Sequence, residues 1–334
     1  MSSLVEVARA AGVSVSTASR VLTGSSHPIS AKTRAKVIAT AEKLGYSPSA
    51  LARALVSRSS RLIGVLVSDI VNPYFSVIAR GIDDVASRAG YVTMLSNVDR
   101  RTSTEISRLQ TMRDYRAAGV VIAGSGFDAD PLAADLAAAV RQATKQGIQA
   151  VSLTARDLDC PVITVNNESA AHDITDHLLS LGHRRIAFID GPPGMTTSKQ
   201  RRDGFLACMN AAGLGESAQC LPGGFDFESG HLAAMRLIAR PPLPDAILAA
   251  NDEAAVGALN ALRQAGIDVP GEISVAGIND LRVAQFVGLT TVSLPLYEMG
   301  AMAAQHIINA QPGAPATTFL SHRVIPRETT ARRP

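Results

Sequence analysis

Cysteine is scarce in this 334-residue chain. Its three examples, Cys160, Cys208 and Cys220, are odd in number and widely spaced. That excludes a disulfide framework and a zinc site, and leaves them as buried packing residues in a reducing compartment. Long apolar runs are missing too, since Leu62–Val67 is cut at once by Ser68 and Asp69, far short of a membrane span. No basic stretch followed by a long apolar one opens the chain, so no secretory leader is expected and the chain is placed in the cytoplasm. Enzyme signatures are equally thin. Gly124-Ser125-Gly126 follows an apolar run, but Ala129 stands where the dinucleotide fingerprint needs glycine. There is no phosphate loop ending in Gly-Lys-Ser/Thr and no Gly-x-Ser-x-Gly elbow. His172 and His177, five apart, miss the i, i+4 spacing of one helical face, and the other histidines show no metal-ligand spacing. Without a convergent nucleophile, base and orienter, no enzyme, cofactor or metal is expected.

What is present starts at Ser3. Ser3 and Glu6 stand at capping-box spacing, and Leu4, Val7, Ala8 and Ala11 repeat along one helical face. Gly12 breaks that helix and Ser14 caps a second, in which Ala18, Val21 and Leu22 face inward. Ser16 and Arg20 are left on the outer face, with Val15 at the exposed start. Two short helices around a glycine turn suit a helix-turn-helix entering a major groove, and equally the start of a helical bundle. Charge separates the two. Residues 1–60 hold eight Lys/Arg against Glu6 and Glu42, a net +6, whereas the whole chain is +3 and the remainder therefore −3. A basic segment ahead of a mildly acidic body is the footprint of a phosphate-contacting module.

The chain as a whole is 46% hydrophobic and, at 334 residues, too long for one ordinary core, so two or three domains are expected. Ser30 caps a third helix with Val37, Ile38, Ala41 and Leu44 on one face, ended by Gly45. Ser47-Pro48 then opens a helical segment reaching Leu55 that spans barely two turns, too short to stand alone in water. A polar linker, Ser57–Arg61, follows. From Leu62 onward apolar strands alternate with helices, several closed by glycine (Gly90, Gly147, Gly182, Gly213, Gly266). The strands read as Leu62–Val67, Tyr91–Leu95, Val120–Ala123, Ala150–Leu153, Ile163–Val165, Arg185–Ile189, Ala246–Ala249, Ile273–Ala276 and Thr291–Leu294. That alternation predicts an α/β class with parallel sheets covered by helices on both faces, in two similar lobes that break near Asp159–Thr164. Ligands in such folds bind beyond the carboxyl ends of the strands. There the sequence places Asp69, Asn72, Tyr74, Phe75, Asn166-Asn167, Gly191–Arg201, Asn251-Asp252 and Gly277-Ile278-Asn279-Asp280. Amides, carboxylates and rings on one rim suit a polyhydroxylated ligand. Each Asn or Asp alone reads as a helix cap.

With these segments in view, the chain resembles the lactose/galactose repressor family (LacI/GalR type) over essentially its whole length. The resemblance rests on VARAAGVSVSTASRVL, ISAKTRAKVIATAEKLGYSPSALARAL, IGVLVSDIVNPYF, LLSLGHRRIAFIDGP, RRDGF, ANDEAAVGAL, PGEISVAGIND and LTTVSLP, in family order. It implies a helix-turn-helix domain (1–46), a hinge helix and linker (47–60), and a periplasmic-binding-protein-like core (61–334). The core's lobes are expected at about 61–163 with 292–320 and 164–291 with 321–334. The resemblance further implies a transcriptional repressor that binds a pseudo-palindromic operator as a homodimer, with a tetramer as the alternative. A small sugar-like effector between the lobes would switch it. By position, Val15, Ser16 and Arg20 match base readers, Thr17 and Ser19 phosphate contacts, and Leu55 the apolar wedge at the operator centre. Tyr74, Phe75, Asn166, Arg201, Phe225, Asn251 and Asn279 match effector-contacting positions. A solute-binding protein and a Rossmann-like enzyme are the rivals; residues 1–60 have no role in the first, and the second lacks a catalytic set.

The departures carry information. The family often has Asp where Asn166 stands, and a carboxylate near Asn279, so two acids become amides while Arg201 is kept. A guanidinium gives a carboxylate or phosphate a two-point hydrogen bond, so the exchange points to a sugar acid or sugar phosphate. Arg100 and Arg101 reinforce it. Ser49 and Val56 replace hinge residues that are often Asn or basic, which thins hinge–phosphate contacts.

The hinge yields a test. Leu55 gains most by leaving water between base steps at a properly kinked centre. Leu55→Ala is therefore expected to weaken specific operator binding more than non-specific binding, as read by competition gel shifts. Equal protection of Ser47–Leu55 amides with and without operator would contradict an operator-induced helix.

Overall fold

The computed structural model describes residues 3–23, 27–46, 60–309 and 316–333. The hinge segment with Leu55 lies outside the described residues. The N-terminal unit is three helices, α1 (Leu4–Ala11), α2 (Val15–Leu22) and α3 (Ala31–Lys43). Ser3 and Glu6 form the expected capping box: the Glu6 amide donates to Ser3 Oγ at 3.3 Å, and the Ser3 amide to the Glu6 carboxylate at 2.7 Å. Gly12 turns the chain at φ 65°, a conformation that costs glycine nothing, and its amide closes the helix on Arg9. Val7, Ala8, Ala11, Ala18, Val21, Val37 and Ala41 make the small core. Ile38 and Leu44, expected on that face, are exposed instead. Val37 and Ala41 already define the inward line one turn apart; Ile38 is rotated off it, and Leu44 lies beyond the helix end.

The first lobe runs β1 (Leu62–Val67), α4 (Pro73–Arg88), β2 (Val92–Asn97), α5 (Thr102–Asp114), β3 (Gly119–Ile122), α6 (Ala133–Lys145), β4 (Gln149–Ser152) and β5 (Val162–Val165). The second follows as α7 (Asn167–Ser180), β6 (Ile186–Ile189), α8 (Thr196–Ala211), β7 (Gln219–Leu221), α9 (Phe227–Ile238), β8 (Ala246–Ala249), α10 (Asp252–Gln264), β9 (Ser274–Ala276), α11 (Arg282–Phe286) and β10 (Thr291–Ser293). The chain then returns to the first lobe with α12 (Leu296–Asn309) and β11 (Thr317–Leu320), before β12 (Arg323–Ile325) pairs antiparallel with β10. The first sheet is wholly parallel in the order β11-β5-β4-β3-β1-β2, the second in the order β7-β6-β8-β9.

Sequence alternation accounts for the layers. In β1, Ile63, Val65 and Val67 face one core while Leu66 faces the other; in β6, Ile186 and Phe188 oppose Ala187 and Ile189 in the same way. Strands apolar on both faces belong in parallel sheets clad on both sides. The glycines expected to close helices do so, with φ between 71° and 94° at Gly90, Gly147, Gly182, Gly213 and Gly266.

Three expectations need correction. The lobe divisions at 163/164 and 291/292 cut through β5 and β10. β5 stays in register with β11 to Val165, and β10 with β12 to Ser293, so the crossings lie after Val165, after Ser293 and between Leu320 and Arg323. The strands β7, β11 and β12 escaped the reading because they are short and largely exposed, without an apolar run. Cys220 is exposed, because it sits on edge strand β7, whereas Cys160 and Cys208 are buried.

Helix pairs meet at glycines. A Cβ on Gly81 of α4 would collide with the Tyr297 carbonyl of α12, and one on Gly300 with the Ile78 carbonyl. Backbone cannot give as a flexible side chain can. Gly81→Val is therefore expected to destabilise the first lobe by about 1–3 kcal/mol or more, measured as a lowered urea midpoint at fixed protein concentration.

Candidate operator and effector sites

The outer face of α2 is built from its cap. Ser14 Oγ accepts the Thr17 amide at 3.1 Å and lies 2.8 Å from both Ser16 Oγ and Thr17 Oγ1. Three hydroxyls thus cluster at the helix start, where backbone N–H groups favour an anion. Val15, Ser16 and Arg20 are exposed, Thr17 and Ser19 half-buried, and Ala18 and Val21 anchor the helix beneath. The α2 positions singled out from sequence share one accessible surface.

Between the lobes lies a cavity with side chains of both in its lining. Six of the seven effector positions line it: Tyr74, Phe75, Arg201, Phe225, Asn251 and Asn279. Asn72 caps α4 through the Tyr74 amide at 2.9 Å, and so aims Tyr74 and Phe75 into the cleft, where they pack edge to face with centroids 5.0 Å apart. Asn166 is the exception. It is the N-cap of α7, its Oδ1 taken by the Ser169 amide at 2.9 Å, and it lines a neighbouring recess with Thr164, Gln200 and Phe319. Asn251 is also a cap, accepting from Ala254 at 3.0 Å, but its Nδ2 donates to the Phe225 carbonyl at 3.0 Å and braces the ring loop. Arg100 reaches the cavity while pairing with Asp69 at 3.3 Å; Arg101 starts α5 and is exposed.

Arg201 is the chemical centre. It projects from α8, is 3% exposed, and donates Nε to Asn167 Oδ1 at 3.1 Å, Nη1 to the Ala250 carbonyl at 2.5 Å and Nη2 to Asn279 Oδ1 at 3.2 Å. Its guanidinium lies 5.8 Å from the Phe225 ring centroid. Every one of these acceptors is neutral, and burial lowers its pKa to about 10, so it stays charged at neutral pH. Three of five N–H groups are used. Asn279 holds its oxygen there from an unusual backbone, φ 134°, fixed by its amide on the Val292 carbonyl at 2.9 Å.

Two family profiles match this arrangement: bacterial regulatory proteins of the lacI family over residues 3–49, and the periplasmic binding proteins and sugar-binding domain of the LacI family over residues 60–326. The chain belongs to the LacI family. It is 29% identical over 334 residues to catabolite control protein A of Priestia megaterium, covering 98% of each chain. With the ribose operon repressor of Escherichia coli K12 it shares 32% over 320 residues, covering 92% of this chain and 93% of that one. The lac repressor dimer bound to operator and the anti-inducer ONPF superposes with a TM-score of 0.85 at 26% identity, over 99% of each chain. This LacI-family member is accordingly a DNA-binding transcriptional regulator with an effector-binding core. No helix among the described residues is long and apolar enough to cross a membrane.

Sequence reasoning missed part of this family member's cleft. Ser125 and Thr154 line the cavity without having been expected there; Met195 and Thr197 lie within the expected Gly191–Arg201 stretch but were not singled out, and Asn167 rather than Asn166 serves Arg201. Gly124-Ser125-Gly126 was weighed only as a nucleotide loop. Its place after β3 is the same signal that exposed Tyr74 after β1. Asp252, at the start of α10, accepts from Thr291 Oγ1 at 2.5 Å and Leu281 N at 2.7 Å, tying β10 and the start of α11 to α10; burial pushes it up to about 6.

Glu253, next to Asp252, is raised to about 7, first by burial and then by Asp226, Asp69, Asp252 and Glu228. The sign follows. With its folded value above the ordinary 4.5, its favourable contribution is complete below pH 4.5 and is lost as pH rises through 7. Glu253→Gln should therefore match the parent chain near pH 4.5 and gain roughly 1–2 kcal/mol by pH 8, the partial exposure of the group being allowed for. Urea midpoints at the two pH values check this; a constant difference between the proteins would refute it.

Proposed function

We propose that this chain is a cytoplasmic, non-enzymatic repressor that binds a pseudo-palindromic operator as a homodimer. Residues 1–46 form its DNA-binding domain and residues 47–60 its hinge. One recognition helix reads only a few base pairs, so two-fold symmetry is needed for useful specificity. Val15, Ser16 and Arg20 read bases, Arg20 pairing with a guanine; Thr17 and Ser19 contact phosphate, and Leu55 wedges the operator centre. Arg20→Ala is expected to cost about 1–3 kcal/mol and relax base choice at one position per half-site. Footprints confined to a single unrepeated half-site would overturn the dimer.

The effector is a polyhydroxylated anion, a sugar acid or sugar phosphate. One observation carries this reading: Arg201 is buried with no carboxylate among its hydrogen-bond acceptors, Asp252 acting on it only through its field, in a cavity whose lining holds Arg100 and Arg201 and no acid. A buried cation with only neutral groups in hydrogen-bond contact stays costly until an anion arrives. Two N–H groups remain for that anion, while Phe225 and Tyr74 offer ring faces to the sugar's C–H edges. Of the two amides replacing family carboxylates, only Asn279 contributes, since Asn166 lies outside the cavity.

The test is calorimetric titration of matched pairs, glucose against gluconate and ribose against ribose 5-phosphate. The charged member that binds is expected to do so at least tenfold more tightly, about 1.4 kcal/mol, and Arg201→Ala should erase the difference. Tighter binding of the neutral member, as the ribose operon repressor's name would favour, overturns the charge reading.

A further inference from the structure

The loop between β3 and α6 is fixed at both ends within the first lobe, and its middle touches the second. At its start, the Gly124 carbonyl accepts from Thr154 Oγ1 at 2.8 Å and lies 3.5 Å from Arg156 Nη1. At its end, Asp130 accepts from Thr102 Oγ1 and from the Leu132 amide, the latter at 2.9 Å. Between them the chain pairs across the cleft. Phe127 and Met195 form an antiparallel bridge, with the Asp128 amide on the Gly194 carbonyl at 2.7 Å and the Thr196 amide on the Gly126 carbonyl at 3.0 Å. Ser125 Oγ lies 2.8 Å from Thr196 Oγ1 and 2.9 Å from Thr197 Oγ1. Ser125, Met195 and Thr197 also line the effector cavity, so this clasp is one of its walls.

Behind the loop sits a buried ion pair. Arg156 Nη1 and Nη2 donate to Glu105 Oε1 and Oε2 at 2.8 and 2.9 Å, with side chains 8% and 5% exposed. A two-point pair fixes direction as well as distance. Both glycines lie against it: a Cβ on Gly126 would meet Arg156 Nε at 3.3 Å, and one on Gly124 would meet Glu105 Oε1 at 3.3 Å, behind Ser68 Oγ at 2.5 Å. We propose that the Glu105–Arg156 pair is a positioning device that holds Gly124–Asp130 as the first-lobe half of the clasp, and so sets how readily the two lobes part. This goes beyond the effector reading and stands for any ligand.

The test reads the clasp amides by hydrogen exchange in the full-length protein without ligand. Opening of the lobes frees Asp128 N–H and Thr196 N–H while the sheets stay intact, so their exchange separates positioning from general stabilisation. In Glu105→Gln, exchange at Asp128 and Thr196 is expected to rise at least tenfold, with Val121 in β3 and Val151 in β4 within twofold of the parent. The same pattern is expected in Glu105→Leu/Arg156→Met. Removing both charges together avoids a stranded buried charge and keeps the fold accessible if the single variant fails. Unchanged clasp amides would overturn the proposal, as would a parallel rise in the strand amides of the variant that folds.

Discussion

A guanidinium kept out of water needs more from its surroundings than any other group in this chain. Arg201 gets its acceptors from three places that are far apart in sequence: the first turn of α7, the residue after β8 and the segment after β9. Each stands at the carboxyl end of a strand or at the helix start that follows one. β8 and β9 are neighbours in the second parallel sheet, which puts the Ala250 and Asn279 acceptors on one edge, while Asn167, at the start of the helix that follows β5 of the first sheet, is brought in by the close packing of α7 on α8 at Gly204. The cleft chemistry thus depends on the topology of the second lobe. The first lobe supplies Tyr74 and Phe75 from the equivalent edge of its own sheet.

The fold was largely legible because its signals are local and repeated. Capping residues and helix-ending glycines act within a few positions, and a strand buried on both faces announces itself as an apolar run such as Leu62–Val67. The missed strands β7, β11 and β12 lack such runs because they lie at edges or in a two-stranded ribbon with one side open. The site was legible in part. Family position named Arg201 and Asn279, which meet in the cavity lining, but composition could not tell Asn166 from Asn167. One is an exposed cap, and the other turns inward to the guanidinium, because successive residues at a helix start point about 100° apart. Ser125 went unmarked, and Thr197 was not singled out within Gly191–Arg201, for another reason: small hydroxyls carry no charge or aromatic signal, and their meaning lies in meeting across the cleft.

Small residues set the spacing of the helices within each lobe. Glycines let α4 reach α12, α7 reach α8 and α9 reach α10 at backbone contact. Such pairs slide poorly, so each lobe is stiff. Three connections cross between the lobes, after Val165, after Ser293 and after Leu320. Stiff bodies joined by a few short strands concentrate their motion at the crossings, which is the hinge mode of domain closure. The cleft can then open or close as a whole without repacking either core.

Asn279 joins that motion to the ligand. Its side chain serves Arg201, while its backbone carries φ 134° and bonds to the Val292 carbonyl, with the Leu294 amide 3.4 Å from its own oxygen. Val292 to Leu294 is the stretch that leaves the second lobe for α12, and α12 lies against α4, whose first turn carries Tyr74 and Phe75. A non-glycine residue in that backbone region persists only because its neighbours over-determine it. Any ligand that draws on Arg201 changes what Asn279 must satisfy, at the place where the chain crosses between lobes. The strained residue is where a change in hydrogen bonding can become a change in lobe angle, and the angle between stiff lobes is the one large degree of freedom this core offers to a DNA-binding domain tethered at its start.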